Sequence, residues 1–139
     1  MEIRKQDTAI YTLFKNNNNY LNFCPSRGGI ITNWIFNDHP ILYFDKKRFL
    51  DKSKSIRGGI PVLFPICGDL ENKSLFGNNF LDLMQHGFAR DQEWNYGFNQ
   101  SKNTLCLSLS DNEITRQYYP YFFELKIEVT FSIETLIFN

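Results

Sequence analysis

The sequence lacks the features that define several large classes of protein. Its 15 basic residues balance its 15 acidic ones, which argues against a broad surface for nucleic acid or an anionic membrane. No run approaches the roughly 18 apolar residues of a membrane span, and the first residues, MEIRKQD, are too polar for a signal peptide. We therefore expect a cytoplasmic protein with no nucleic-acid partner and no membrane partner.

Cysteine is also scarce and irregularly placed. The 3 cysteines, at positions 24, 67 and 106, fit neither a disulfide framework nor the spacing of a zinc site. We expect a reducing compartment, no bound metal and no cofactor. Hydrophobic residues make up 42% of the 139 residues and aromatic residues 17%, so the length and composition predict one packed domain, 1–139.

The chain contains short strand patterns separated by turn residues. The clearest is at residues 123–133, where apolar and polar residues alternate as in an antiparallel strand with one buried face. Asn, Gly and Pro residues mark the turns of three further hairpins. These predicted hairpins pair residues 8–15 with 20–24, 30–36 with 41–44 (with His39 in the turn), and 93–98 with 104–110. No long stretch keeps a helical period, so the pattern predicts an all-β, antiparallel β-sandwich.

The segments between these hairpins are less regular. The charged residues 45–55 predict a solvated connector. Residues 60–66 are an apolar run that predicts a buried strand, although Pro61 and Pro65 require it to lie at an edge, to be broken or to be covered. Residues 67–84 predict a long loop that is either a functional lid or binding loop or a disordered segment.

A last strand pattern begins at residues 136–138, close to the C-terminus. Its edge would expose unpaired backbone groups and apolar side chains. We therefore expect self-association, in which this exposed strand edge pairs with another copy of the chain.

Two motifs combine polar side chains with glycines beside apolar segments. The first reads RGGIP at residues 57–61 and continues as FPICG at 64–68. The second reads QHGFAR at residues 85–90 and is followed by Trp94. A structural β-protein does not need this composition, which is typical of a site for a small polar ligand.

These motifs, in this order, resemble the aldose 1-epimerase (mutarotase) family, and within it the branch that acts on hexose 6-phosphates. The resemblance implies a galactose mutarotase-like β-sandwich, of which this chain covers the first half. It also implies a sugar or sugar phosphate as ligand. Arg57, Gln85 and Arg90 match substrate-binding positions, where a planar guanidinium suits a phosphate or neighbouring hydroxyls.

The activity that the resemblance implies is the interconversion of α and β anomers. This reaction needs one group to protonate the ring oxygen and another to take the proton of the anomeric hydroxyl. The family's principal acid histidine and base glutamate are expected beyond residue 139. His86 is then a substrate ligand or an auxiliary proton donor, and the alternative is a structural histidine that ties a loop to the backbone.

Three functions therefore remain open at this stage. The first is an isomerase whose acid and base lie outside this chain. The second is a non-catalytic module that binds a sugar or phosphosugar, and the third is a structural β-domain. Trp34 and Trp94 are expected in the core rather than against a sugar.

Overall fold

The protein is described by a computed structural model that covers residues 2–5, 10–16, 18–70, 75–76, 79–80, 82–132 and 135–139. The strands are β1 Glu2–Lys5, β2 Tyr11–Asn16, β3 Asn19–Cys24, β4 Ile30–Phe36, β5 His39–Pro40, β6 Leu75–Phe76, β7 Asn79–Phe80, β8 Asn95–Asn99, β9 Thr104–Ser110, β10 Glu124–Phe131 and β11 Leu136–Phe138. The helices are α1 Lys46–Leu50 and α2 Glu113–Tyr118, with a 3₁₀ turn at Ala89–Asp91. Within the described ranges, no helix is long and apolar enough to cross a membrane.

Two antiparallel sheets form most of the structure. The first has the order β1-β2-β3-β4-β5 and the second has the order β11-β10-β9-β8, while β6 and β7 form a separate pair. Leu21 and Phe23 from the first sheet share one buried cluster with Leu105 and Leu107 from the second. Apolar side chains of both sheets therefore meet across a common core, and the predicted antiparallel β-sandwich is confirmed.

The strands with the clearest patterns are where the sequence predicts them. The alternating segment forms β10 and pairs along its length with β9, with Leu125 opposite Leu109 and Val129 opposite Leu105. The first and third hairpins are confirmed as β2–β3 and β8–β9. The last pattern forms β11, which pairs with the end of β10. Residues 8–9 and 133–134, which belong to the predicted patterns, lie outside the described residues.

The second hairpin turns earlier than predicted. Asn37 and Asp38 both adopt positive φ, at 48° and 65°, as in the tight two-residue turns that match the twist of a hairpin. His39 is consequently opposite Phe36 in β5 rather than in the turn. The prediction of a strand at residues 41–44 is wrong, because only Phe44 makes a bridge there, to Gly58.

The connector at residues 45–55 is not merely solvated, as the sequence predicts. Asp45 caps α1 by accepting the Arg48 N–H at 2.9 Å, and Phe49 is buried. Arg27, itself buried, donates to the backbone carbonyls of Phe49 and Lys54, and its guanidinium group is 5.0 Å from the centre of the Phe49 ring. The charges of residues 45–55 do not predict this packing, because it depends on Phe49 and on Arg27, which is distant in the sequence.

The apolar run at residues 60–66 is not a continuous strand. It makes isolated bridges at Ile60, to Ile31, and at Phe64, to Gly87, because Pro61 and Pro65 have no N–H to donate to a ladder. Its side chains are mostly half-buried rather than covered on both faces. Of the three arrangements that the prolines allow, the broken strand is the one observed.

Candidate functional site

The first motif links three parts of the first half of the chain through its backbone. The Arg57 carbonyl accepts the Asp45 N–H at 3.1 Å, and the Gly59 N–H donates to the Tyr43 carbonyl at 2.7 Å. The Ile60 N–H donates to the Ile31 carbonyl at 2.8 Å. Residues 57–59 are therefore held against residues 43–45, and Ile60 against the start of β4.

The second motif contacts the first directly. The Phe64 carbonyl accepts the N–H groups of Phe88 at 2.9 Å and Ala89 at 3.3 Å. Gly87 has φ +69°, and a Cβ placed there would be 2.1 Å from the Phe64 oxygen. Only glycine allows the two backbones to come this close. Two segments that are distant in sequence thus form one structural unit.

Aromatic rings pack against each other at this junction. The Phe64 ring is 5.9 Å from Phe88, 5.6 Å from Tyr119 and 5.0 Å from Phe123, measured between centroids. These are distances at which edge-to-face and tilted ring pairs are favourable. These ring contacts therefore connect the junction, and the polar residues beside it, to the segment between α2 and β10.

The three polar residues of the second motif form a network of neighbouring hydrogen bonds, in which His86 is linked to Gln85 and Arg90 through the main chain. His86 Nδ1 accepts the Gly68 N–H at 2.9 Å, while the His86 N–H donates to the Gly68 carbonyl at 2.8 Å. Gln85 Nε2 donates to Asp69 Oδ2 at 3.0 Å. Arg90 donates to the Gln85 carbonyl at 2.9 Å, and its Nε is 3.6 Å from Asp91 Oδ2.

These contacts fix which atoms are left for a ligand. Since His86 Nδ1 accepts a hydrogen bond, the proton of the neutral imidazole is on Nε2, which is a donor. Since the Gln85 amide nitrogen faces the Asp69 carboxylate, the amide oxygen remains as an acceptor. Arg90 supplies further N–H donors in a planar group. Donors on His86 and Arg90 and an acceptor on Gln85 therefore remain, and hydroxyl groups can bind to both kinds of atom.

Arg57 stands apart from this network. Its residue is exposed, and no hydrogen bond or ion pair connects its side chain to any residue in the part of the chain that the structure describes. The structure thus brings together Gln85, His86 and Arg90, whereas the described contact of Arg57 is elsewhere, from its backbone carbonyl to the Asp45 N–H.

Other predicted residues have clear positions. Trp94 is 2% exposed, and its Nε1 donates to the Ala89 carbonyl at 2.9 Å. Trp34 packs partly buried against the same core. Both tryptophans are structural, as the sequence predicts. Asp69, which accepts from Gln85, is not predicted by the sequence, because an aspartate in a polar loop carries no signal of its own.

The two-sheet architecture is that of the galactose mutarotase-like proteins. A galactose mutarotase-like protein from Lactobacillus casei ATCC 334 is similar with a TM-score of 0.72 and 20% identity, over 91% of this chain and 41% of that one, and shows the fold alone. The Slr1438 protein from Synechocystis sp. PCC 6803 has a TM-score of 0.83 and 39% identity, over 96% of this chain and 49% of that one.

The sequence comparisons establish the family. The aldose 1-epimerase family matches residues 11–138, so this chain belongs to the aldose 1-epimerase family. A protein from Cenchrus ciliaris named "Putative glucose-6-phosphate 1-epimerase" is 30% identical over 111 residues, which are 73% of this chain and 31% of that protein. The chain thus spans about half the length of its solved relative and about a third of its curated one.

Proposed function

We propose that this chain supplies the sugar-binding residues of an enzyme that interconverts the α and β anomers of a hexose or a hexose 6-phosphate. The observation that carries the proposal is the network of Gln85, His86 and Arg90 around the junction of the two motifs. Membership of the aldose 1-epimerase family supports the reaction class. The name of the Cenchrus ciliaris relative supports the phosphorylated substrate.

The backbone of His86 supports a role in the site rather than a purely structural one. Its φ is +67°, a conformation that is unfavourable for a residue with a side chain and that occurs frequently at ligand sites. The two backbone contacts with Gly68 hold the ring in this position. We propose that its Nε2–H donates to a sugar oxygen, as a ligand or as an auxiliary acid.

The proton-accepting step needs a different group. In the arrangement described, His86 Nδ1 is already used as an acceptor, so this ring does not serve as the base while the contact with Gly68 persists. We propose that the principal acid and base belong to the rest of the family's fold. A chain that binds sugar without them would be the non-catalytic module that the sequence also allows.

We propose that Arg57 completes the site when a ligand is bound. Its guanidinium group keeps its donors available, whereas Arg90 is partly committed to Gln85 and Asp91. A phosphate or a pair of hydroxyls between the two arginines would accept from both.

Calorimetric titration with glucose 6-phosphate and with glucose tests the binding site. Arg57→Ala and Arg90→Lys should each weaken binding by about ten- to a hundredfold, because a hydrogen bond to a charged group contributes about 1.5–3 kcal/mol. Lysine keeps the charge of Arg90 but loses the planar fork. Arg116→Lys is the matched control, since Arg116 lies on α2, is half exposed and pairs with Asp111.

Equal affinities across the parent chain and all three variants would mean that the arginines are structural. The reaction is tested separately by following α and β anomer signals by NMR. Binding without faster anomer exchange would favour the binding module over the isomerase, and faster exchange would favour the isomerase.

A further inference from the structure

Two contacts between Gly68 and His86 bring the side chains of Asp69 and Gln85 together. The His86 N–H donates to the Gly68 carbonyl at 2.8 Å, and the Gly68 N–H donates to His86 Nδ1 at 2.9 Å. Residue 69 follows Gly68 and residue 85 precedes His86. Asp69 and Gln85 are therefore neighbours because of how the main chain is held.

The Gln85 side chain faces a group that can only accept hydrogen bonds. Its Nε2 atom donates to Asp69 Oδ2 at 3.0 Å. An ionised carboxylate has lone pairs but no proton to donate, whereas an amide group has one donor end and one acceptor end. Only the amide nitrogen of Gln85 can therefore bind Asp69, and the Oε1 atom is turned away from the carboxylate.

The main chain of Gln85 is also held in place. Its carbonyl accepts from Arg90 at 2.9 Å, and the Arg90 side chain is only 18% exposed. The side chains of Gln85 and Asp69 are exposed, so a ligand can reach Oε1. Within the described part of the chain, the Asp69 carboxylate is the hydrogen-bond partner that decides which way the amide group of Gln85 faces.

We propose that Asp69 is a positioning residue, which makes Gln85 accept from a sugar hydroxyl and so selects ligands that carry a hydroxyl at that position. This inference rests on the proposed function, because it takes a hexose or a hexose 6-phosphate as the ligand. A hydroxyl group can donate to Oε1, whereas a fluorine atom or an ionised phosphate oxygen cannot. The hydroxyl-bearing part of a hexose 6-phosphate, rather than its phosphate, therefore faces Gln85.

Binding of fluorinated ligands tests this selection. Glucose 6-phosphate and its analogues with fluorine in place of the hydroxyl at C2, C3 or C4 are titrated calorimetrically against the chain. At the position that Gln85 contacts, fluorine should weaken binding about three- to tenfold, the effect of losing one neutral hydrogen bond. In Asp69→Asn this effect should fall below about twofold, because an asparagine side chain both donates and accepts and leaves both orientations of the Gln85 amide open.

Further variants show whether Asp69 acts through Gln85. Asp69→Glu keeps an acceptor-only group and should keep the fluorine effect of the parent chain. Gln85→Leu should lose the effect, and adding Asp69→Asn to it should change nothing more, as expected for two residues that act as a unit. Asp51→Asn is the matched control and should behave as the parent, because Asp51 accepts from the Ser53 hydroxyl at 2.6 Å at the end of α1.

The side-chain amide of Gln85 provides a measurement that needs no ligand. In the NMR spectrum of the isotopically labelled chain, its proton that faces Asp69 should lie downfield of the matching proton of Gln100, which is exposed. The same proton should move upfield in Asp69→Ala, which removes the acceptor. Thermal unfolding of each variant checks that it is folded. Identical Gln85 signals in the parent chain and in Asp69→Ala would refute the proposed orientation.

Three binding results would overturn the proposal. The first is equal affinity of the parent chain for glucose 6-phosphate and for every fluorinated analogue. The second is a fluorine effect that Asp69→Asn leaves unchanged. The third is an effect of Asp69→Asn that persists in Gln85→Leu, which would make Asp69 itself a ligand of the sugar.

Failure of the proposed function gives a different result. If the parent chain bound neither glucose nor glucose 6-phosphate, there would be no sugar for Gln85 to select, and the proposed function and the selection would both be refuted. The NMR signals of Gln85 would still decide whether Asp69 orients its amide group.

Discussion

The close approach at Gly87 gives a quantitative test of how the two motifs are joined. In Gly87→Ala, a side chain must adopt φ near +69°, which costs about 1–2 kcal/mol. Its Cβ would also meet the Phe64 carbonyl oxygen at 2.1 Å, so the backbones must separate. The Phe88 N–H to Phe64 bond, at 2.9 Å, would then be lost, at about 0.5–1.5 kcal/mol. We expect a total loss of about 1.5–3.5 kcal/mol.

Two other glycines separate these contributions. Gly68 has φ +100°, but a Cβ at this position would have no atom within 4 Å, so Gly68→Ala carries the conformational cost without the clash. Gly97 in β8 has neither a positive φ nor a close neighbour, and Gly97→Ala should be neutral or stabilise the protein by up to about 1 kcal/mol. The order of the free energies of unfolding should therefore be Gly97→Ala highest, Gly68→Ala intermediate and Gly87→Ala lowest.

Urea denaturation followed by tryptophan fluorescence measures this order, because Trp94 donates to Ala89 at the same junction. If Gly87→Ala lost no more stability than Gly68→Ala, the contact between the two motifs would contribute little to stability. It could then not be what fixes the positions of Gln85 and His86.

Two further predictions concern local electrostatics and capping. The pKa of Asp51 is lowered from 3.8 to about 2, chiefly because the Ser53 hydroxyl donates to its carboxylate. This contact therefore stabilises the fold at pH values above the ordinary pKa of the carboxyl group, and the stabilisation is lost as the pH falls through about 2. Ser53→Ala should raise the pKa of Asp51 measured by NMR, and an unchanged pKa would refute the assignment. Asn112 accepts the N–H groups of Ile114 at 2.9 Å and Thr115 at 3.0 Å at the start of α2. Asn112→Ala should lower the free energy of unfolding by about 1 kcal/mol, whereas the exposed Asn95→Ala should not, and equal effects would contradict the cap.

The sequence predicts the parts of this fold in which one face of a strand is buried. The alternation in β10 and β9 is visible because every second side chain enters the core. β1 escapes prediction because its residues, EIRK, are mostly charged edge residues. The broken segment at residues 60–66 is apolar enough for a strand, but Pro61 and Pro65 limit its backbone pairing to isolated bridges.

The site is predictable to a different degree. The motif letters select Gln85, His86 and Arg90 as candidate site residues, and in the structure Arg90 donates to the Gln85 carbonyl and Gln85 to Asp69. Their partners Gly68 and Asp69 come from another part of the chain, and a pairing of this kind depends on the tertiary fold rather than on any local pattern. The position of Arg57 relative to Gln85, His86 and Arg90 also depends on the tertiary fold, so the spacing of the motifs in the sequence does not predict it.

The pairing of Phe64 with Gly87 has a consequence for the length of the chain between them. Because the ends of this segment are fixed side by side, and Gly68 and His86 are paired just inside them, the segment is a closed loop. The entropy of closing a loop grows only with the logarithm of its length, so doubling the length costs about 0.6 kcal/mol. Residues inserted between Leu70 and Asp82 should therefore be tolerated without moving Gln85 or His86, so the length of this segment can change while the proposed binding residues keep their positions.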